Sequence, residues 1–424
     1  MNSVQTGACV LDIRSETDPL EQVIVHTPGE EMELVSPSAL EQMLMEDILF
    51  VSQAKVEHQR MCAVFEEIVP RPGAVLQLSN LLREAFVEAD ARESFVEELC
   101  AVATDLNLQA FERELKSLDA QSLCRFALTG VSPLPIHANP LPNLMFTRDV
   151  ACIVRDRIIL SHPATGARRR ESVIMRTVAR HHPALLPYRN HIINLPAGVT
   201  FEGGDLLVVD EKTVLIGHSE RSSFGAVMSV ARELLDSTPI ESIIVINLPK
   251  KRACMHLDTV FTFISPDECV VYPPIIDVSG VNNVLRLTAG TDPKTFTCTM
   301  HYNLKEALEF VLQRPLTFYA CGGRNRLNQE REQWTDGANF FALAPSVVIG
   351  YDRNSRTFEE LRKAGYHVVS VDGFLSYHAE SDFAHGEKIA IKLDGDELSR
   401  GRGGPRCMTM PLARRAGPKL PESP

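Results

Sequence analysis

The sequence predicts an α/β protein. Short runs of branched apolar residues, bounded by polar or turn residues, recur along the chain as strands require. Patterns of helical period separate several of these runs. One long segment has no strand signal at all. Alternation of this kind places most of the chain in the α/β class, with a helical piece set into it.

The elements follow in order. Residues 22–26 (QVIVH), 150–160, 206–216 and 243–248 read as strands, and 269–272, 346–349 and 367–371 have the same character. Residues 305–312 and 357–364 show helical spacing between them. From 78 to 128 the strand signal disappears. Leu81, Leu82, Ala85 and Phe86 recur at helical spacing, as do Phe95, Val96, Leu99 and Val102. Leu108, Phe111, Leu115 and Leu118 make a further stripe. Pro72-Gly73 precedes the segment and Pro133, Pro135, Pro140 and Pro142 follow it, which are strong helix stops. The expected organisation is a helical insertion over residues 74–138 in an α/β body of residues 1–73 and 139–424. No short-period repeat is visible. The last dozen residues, with Pro418, Pro421 and Pro424, read as a mobile tail.

Composition narrows the function. The chain has 424 residues, with 43 Lys plus Arg against 55 Asp plus Glu and a net charge of −12. An acidic balance argues against general binding to nucleic acid or anionic membranes, which needs a positive field. A hydrophobic share of 44% is enough for a sizeable core. No segment approaches the roughly 20 apolar residues of a membrane span. Asp12, Arg14, Glu16 and Asp18 interrupt the place where a signal peptide would be apolar. Ten cysteines form no CxxC pair, so they read as reduced thiols of a cytoplasmic enzyme. His378 and His385 around Glu380 and Asp382 read as a polar surface loop, and no metal site is expected. The glycines at 401–404 lack the Gly-Lys-Ser/Thr ending of a phosphate-binding loop.

Four strings concentrate residues that are costly to place together. They are Asn143-Leu-Met-Phe146-Thr-Arg148-Asp149, Phe201-Glu202-Gly203-Gly204-Asp205, His256-Leu-Asp258-Thr-Val-Phe-Thr262 and Gly401-Arg402-Gly403-Gly404-Pro405-Arg406-Cys407-Met408. Taken singly, Gly-Gly-Asp is an ordinary turn and a cysteine is a small buried hydrophobe. Together they make a reactive set. Cys407 follows a glycine run flanked by Arg402 and Arg406, a setting expected to favour the nucleophilic thiolate. His256 can act as general acid and base, with Glu202 to orient it. Asp149 and Asp258 suit a cationic substrate, because carboxylates match a planar guanidinium bidentately. Spare arginines would then hold a carboxylate at the far end of that substrate.

These strings, in this order, resemble arginine deiminase of the guanidino-group-modifying superfamily. The likeness extends to His26-Thr-Pro-Gly-Glu30, to Arg331-Glu-Gln-Trp-Thr-Asp-Gly-Ala-Asn339 and to Tyr351-Asp-Arg-Asn354. It therefore covers nearly the whole chain. The resemblance implies a five-bladed α/β propeller with pseudo-fivefold symmetry and an inserted helical domain. It implies hydrolysis of L-arginine to L-citrulline and ammonia through a covalent thiouronium on Cys407, with no cofactor. His256 would be the acid and base, Glu202 the catalytic glutamate, and Asp149 and Asp258 the holders of the guanidinium. Asn143, Arg168, Arg221 and Arg402 would contact the substrate backbone, and Phe146 its aliphatic stem. A homo-oligomer is also implied.

Two departures stand out. Leu44-Met-Glu-Asp47 replaces a Phe-Asp-Asp string, and the stretch 372–393 is longer than in compact members. Neither removes a chemical group. The competing readings are a methylarginine hydrolase, an amidinotransferase or an agmatine deiminase of the same superfamily, and a catalytically silent arginine sensor. The full strings, above all the one around Cys407, favour the deiminase over the hydrolase and the amidinotransferase. A carboxylate-holding role for Arg221 and Arg402 disfavours the agmatine deiminase, and five competent catalytic positions disfavour the sensor.

Overall fold

The computed structural model describes residues 10–102, 106–277, 284–292, 295–377 and 386–416. Its strands form five separate sheets among these residues, and the fold is mixed α/β. One plan recurs in all five: an antiparallel pair, a helix, and a further strand that returns parallel.

Ala151–Val154 pairs with Arg157–Leu160, helix Arg169–His181 follows, and Ile192–Ile193 returns parallel. Leu206–Asp210, Thr213–His218, helix Phe224–Ser237 and Ser242–Asn247 repeat the plan. Phe261–Phe263, Glu268–Val271, helix Leu304–Leu312 and Thr317–Ala320 repeat it again. Phe341–Ala344, Val347–Tyr351, helix Ser355–Lys363 and His367–Ser370 vary it, because Ile389–Leu393 lies between the two parallel strands. Both ends of the described chain build the fifth sheet. There Met410–Arg414 pairs with Leu20–Val25, helix Val51–Ile68 follows, and Val75–Gln77 returns parallel. Ala151–Val154 and Val347–Tyr351 are buried at every position, so they read in sequence as unbroken apolar runs rather than alternations.

The repeat escapes inspection because its strands are short and its insertions unequal. One is the hairpin of Val284–Ala289 and Phe296–His301, which pairs with Ser242–Asn247 and widens that sheet to five strands. Its outer strand is mostly exposed and carries Thr, Cys and His rather than a buried apolar run.

The helical segment contains Leu78–Ala85, Ala89–Val102, Leu106–Ala110, Glu112–Lys116 and Ala120–Thr129 in succession. The Asp119 carboxylate caps the last of these by accepting from the backbone of Gln121 and Ser122. Val75–Gln77 belongs to the fifth sheet, and the first helix begins at Leu78, where the strand signal ends in the sequence. One expectation needs correction. The stripe from Leu108 to Leu118 is broken into two short helices at Phe111. The apolar face of the segment packs on helix Arg169–His181, and Leu82, Phe95 and Leu123 share one core with Ile153, Ile174 and Val227.

No helix among the described residues is long and apolar enough to cross a membrane. The nine described cysteines are free. The expected tail of the last dozen residues begins too early, because Ala413 and Arg414 close the strand Met410–Arg414. Its remaining part from 417, and His378, Glu380, Asp382 and His385, lie outside the described residues.

Candidate active site

Each antiparallel pair is entered through a tight turn, and those turns carry most of the residues singled out in sequence. Thr147–Asp149 precedes Ala151–Val154, Gly203–Asp205 precedes Leu206–Asp210, and Leu257–Thr259 precedes Phe261–Phe263. Asn339 stands just before Phe341–Ala344, and Cys407 just before Met410–Arg414. Side chains and backbone stitch the turns to one another. The Cys407 N–H donates to Asn339 Oδ1 at 3.1 Å, and Asn339 Nδ2 donates to the Asp258 carbonyl at 3.0 Å. The Leu257 N–H donates to Asp205 Oδ1 at 2.9 Å, and the Arg148 N–H to the Cys407 carbonyl at 3.1 Å. Gly203 completes the contact, since a Cβ there would run into the carbonyl of Arg148.

The side chains brought together make one small pocket. Asn143, Phe146, Asp149, Arg168, Arg221, His256, Arg402 and Cys407 all line it, with Leu44, Arg252, Met255, Thr259 and Gly401. Glu202 and Asp258 lie behind the lining, within reach of His256 and Cys407. Thus the ten residues proposed from sequence converge, although their positions span Asn143 to Cys407.

His256 is held between two carboxylates. Its Nε2 lies 2.9 Å from Glu202 Oε2 and its Nδ1 3.5 Å from Asp149 Oδ1. Burial pulls the imidazole pKa down, but Asp149 and Glu202 outweigh it and raise it to about 9. At neutral pH His256 is therefore an imidazolium, poised to donate a proton. Burial pushes Glu202 up, yet His256, Arg168 and Arg221 together bring it to about 2. Gly204 makes this approach possible. An added Cβ would sit 2.7 Å from His256 Nδ1 and 3.0 Å from Asp149 Oδ1.

The arginines are less simply arranged than the sequence suggests. Arg168 Nη1 lies 2.6 Å from Asp149 Oδ2 and 3.6 Å from Glu202 Oε2, while its Nη2 reaches Glu171 at 2.8 Å. Its donors are spent inside the site. A contact with the substrate carboxylate therefore requires Arg168 to exchange Asp149 for it. Arg221 keeps a looser grip, 3.7 Å from Glu202 Oε1, and its Nε has no hydrogen-bond partner. Arg402 takes the left-handed backbone conformation at φ 64° and lays its guanidinium 3.5 Å over the Trp334 ring. Its Nε and Nη1 are buried without a hydrogen-bond partner.

One expectation is overturned. Arg402 and Arg406 do not favour a thiolate at Cys407. Burial raises the thiol well above its ordinary pKa, and Asp258, Asp149 and Asp336 add to the rise, against Arg406 alone. Arg406 turns its guanidinium onto Asp258 and Glu16, and Asp258 Oδ2 is 3.7 Å from the Cys407 sulfur. Before ligand enters, Cys407 is a thiol.

Several site residues have no role assigned from sequence: Asp205, Trp334, Asp336 and Asn339 lie within quoted strings, and Glu16 and Glu171 outside them. Glu16, Glu171, Asp205, Trp334, Asp336 and Asn339 act through positions far apart in sequence. Asp205 accepts from Ser219 Oγ at 2.6 Å and is raised by burial to about 7. A periodic comparison of the five turns would have found Asp205 and Asn339, which stand where Asp149, Asp258 and Cys407 stand in theirs. Asp149, Glu202 and His256 place one donor atom each within 4.8 Å of one another. Arg168 already supplies the cation to that acidic pair, so the trio fits proton transfer better than ion binding.

Residues 109–414 match the family model "Arginine deiminase". The chain is 34% identical to the arginine deiminase of Bacillus thuringiensis subsp. konkukian (strain 97-27) over 429 residues, covering 96% of this chain and 98% of that one. The chain belongs to the arginine deiminase family. Its membership makes it a hydrolase acting on arginine. An arginine deiminase of Listeria monocytogenes serovar 1/2a (strain ATCC BAA-679 / EGD-e) is 33% identical, covering 95% and 98%. Solved structures share this fold at low identity. The amidinotransferase SxtG of Microseira wollei matches with a TM-score of 0.53 at 14% identity, covering 97% of this chain and 99% of that one. The product-bound N-terminal domain of the cyanobacterial arginine dihydrolase ArgZ gives 0.51 at 14%, covering 95% and 100%.

Proposed function

We propose that the protein hydrolyses L-arginine to L-citrulline and ammonia through a thiouronium formed on Cys407. The observation that carries this reading is the placement of a cysteine sulfur, a charged histidine and three buried carboxylates around one pocket. A guanidinium entering between Asp149 and Asp258 cancels the two charges that do most, after burial, to hold the proton on Cys407. That proton then leaves through Asp258, and the thiolate attacks the central carbon to form the S–C bond. His256 donates its proton to a terminal nitrogen, the C–N bond breaks and ammonia departs. The neutral imidazole takes a proton from water, whose oxygen adds to the same carbon. Breaking the S–C bond releases citrulline and returns the cysteine. Arg221, Arg402 and Asn143 suit the α-carboxylate end, with Arg168 once it leaves Asp149, and Phe146 the methylene stem.

The five sheets are proposed as the blades of a pseudo-fivefold propeller. The recurring strand–strand–helix–strand plan and the bonds between successive turns support that arrangement. The functional test is citrulline and ammonia release from L-arginine, with agmatine and methylarginines in parallel and Cys407→Ala as the blank. Equimolar products lost in the variant are expected. Turnover of another guanidine but not of arginine would move the substrate, and silence on all of them would favour a sensor.

A further inference from the structure

Arg406 is buried, and three groups engage its guanidinium. Its Nη1 donates to Asp258 Oδ2 at 2.7 Å. Its Nε lies 3.2 Å from Glu16 Oε2 and its Nη2 3.2 Å from Glu16 Oε1, a forked pairing. Nη2 also donates to the Leu206 carbonyl at 2.9 Å. Asp258 is left with one oxygen, Oδ2, shared between Arg406 and the neighbourhood of the Cys407 sulfur, while Oδ1 is buried without a hydrogen-bond partner.

We propose that Arg406, braced by Glu16, is a positioning residue for the guanidinium site, pinning one oxygen of Asp258 beside the Cys407 sulfur and leaving the other to the substrate cation. This deepens the arginine reading of the pocket and rests on it.

The argument is geometric. A carboxylate turns about its χ angles unless one oxygen is held, and the group that holds it must itself be fixed. Arg406 holds Asp258 through one bond, and its planar fork onto Glu16 fixes it as an ammonium could not be fixed. Glu16 comes from the N-terminal segment, 390 residues away in sequence, and its backbone N–H is tied to the Val208 carbonyl at 2.8 Å. Charge balance makes the brace necessary. Arg148 and Arg414 are also buried and act on Arg406 and Glu16, and His256 and Asp149 act on Asp258. Without Glu16, three buried guanidinium groups would share Asp258 and the more distant Asp18. Arg168 provides the contrast. It lines the pocket and can change partners there, whereas neither Arg406 nor Glu16 touches the pocket at all.

The test is steady-state kinetics with L-arginine on the full-length wild type, Glu16→Gln, Arg406→Lys and the double variant Glu16→Gln/Arg406→Met. The double variant removes both members of the forked pair, so neither is left alone. It is expected to raise KM about tenfold or more, with kcat falling by a smaller factor, as for a lost aiming contact. Arg406→Lys, which keeps charge without the fork, should recover part of that loss, and Glu16→Gln should cost about two- to fivefold. KM and kcat within about twofold of wild type in the double variant would overturn the proposal. Should that variant not fold, Arg406→Lys decides: a raised KM supports the assignment and a wild-type KM refutes it. A wild type that does not turn over arginine would sink the arginine reading itself, which a working enzyme with indifferent variants would not.

Discussion

Asp149 and Asp258 carry the same group and flank the same cysteine and histidine, yet their surroundings differ in kind. Asp149 lines the pocket, and its partner Arg168 also holds Glu171 and faces Glu202. Asp258 lies behind the pocket, and its partner Arg406 is anchored by Glu16 and the Leu206 carbonyl. One side has spare partners and room to exchange them. The other is sealed. The difference teaches that the pocket has one wall with exchangeable partners and one wall held fixed; on the proposed mechanism the first would admit the substrate and the second would set the guanidinium against the sulfur.

The largest effect that would break this comparison is on stability. Asp258→Asn leaves Arg406 with Glu16 alone, and Glu16 already faces the buried Arg148 and Arg414. The loss should therefore approach that of a broken buried pair, about 3–5 kcal/mol. Asp149→Asn leaves Arg168 with Glu171 and Glu202, so its loss should be only about 1 kcal/mol. Denaturant melts of the two variants check this, and equal losses would erase the distinction between the walls. Both should lose turnover by about a thousandfold or more, since each removes a charge that faces the reacting group.

Gly204→Ala sharpens the adjustable side. The added methyl meets His256 and Asp149 and forces them apart, so kcat should fall about a hundredfold for an overpacking cost of about 1–3 kcal/mol. Wild-type kcat in this variant would show that the His256–Asp149 approach is incidental.

The pH dependence comes next. His256 is held above its ordinary value of 6.5, so its stabilising contribution is complete below pH 6.5 and is lost as pH rises towards about 9. Glu202 is held below 4.5, so its contribution is complete above pH 4.5 and is lost as pH falls towards about 2. Stability should therefore decline between pH 6.5 and 9 in the wild type, and His256→Gln should flatten that decline. An unchanged slope in the variant would remove His256 from the linkage.

The smallest effect is at the pocket mouth. Arg402→Ala should weaken L-arginine about tenfold more than agmatine, which lacks the carboxylate. Competition measurements giving equal losses would release Arg402 from that role.

The chemistry was legible where it was local. Phe201-Glu202-Gly203-Gly204-Asp205 and His256-Leu257-Asp258 pack acidic residues, glycine and histidine into single turns, and such strings stand out in a sequence. Partners brought together only by the fold do not. Glu16 reads in sequence as one of four charges that break an apolar stretch, and only the fifth sheet, built from both ends of the described chain, sets it against Arg406. The Cys407 thiol was misjudged for the same reason. Two neighbouring arginines promise a thiolate, but their guanidinium groups are spent on Trp334 and on the Asp258–Glu16 pair. The helical segment was legible because its apolar stripes have a period. The strand just before it, Val75–Gln77, was not, since it is three residues long. The strand Ile389–Leu393 and the hairpin around 290 pair across long insertions, which no local pattern announces.

Rapid-quench mass spectrometry on the wild type mixed with L-arginine, with peptide mapping of the product, tests the covalent chemistry most directly. The expected result is a transient gain equal to arginine less ammonia, confined to the peptide bearing Cys407, that decays as citrulline appears. Citrulline formed at full rate with no adduct on Cys407 at any time would contradict it.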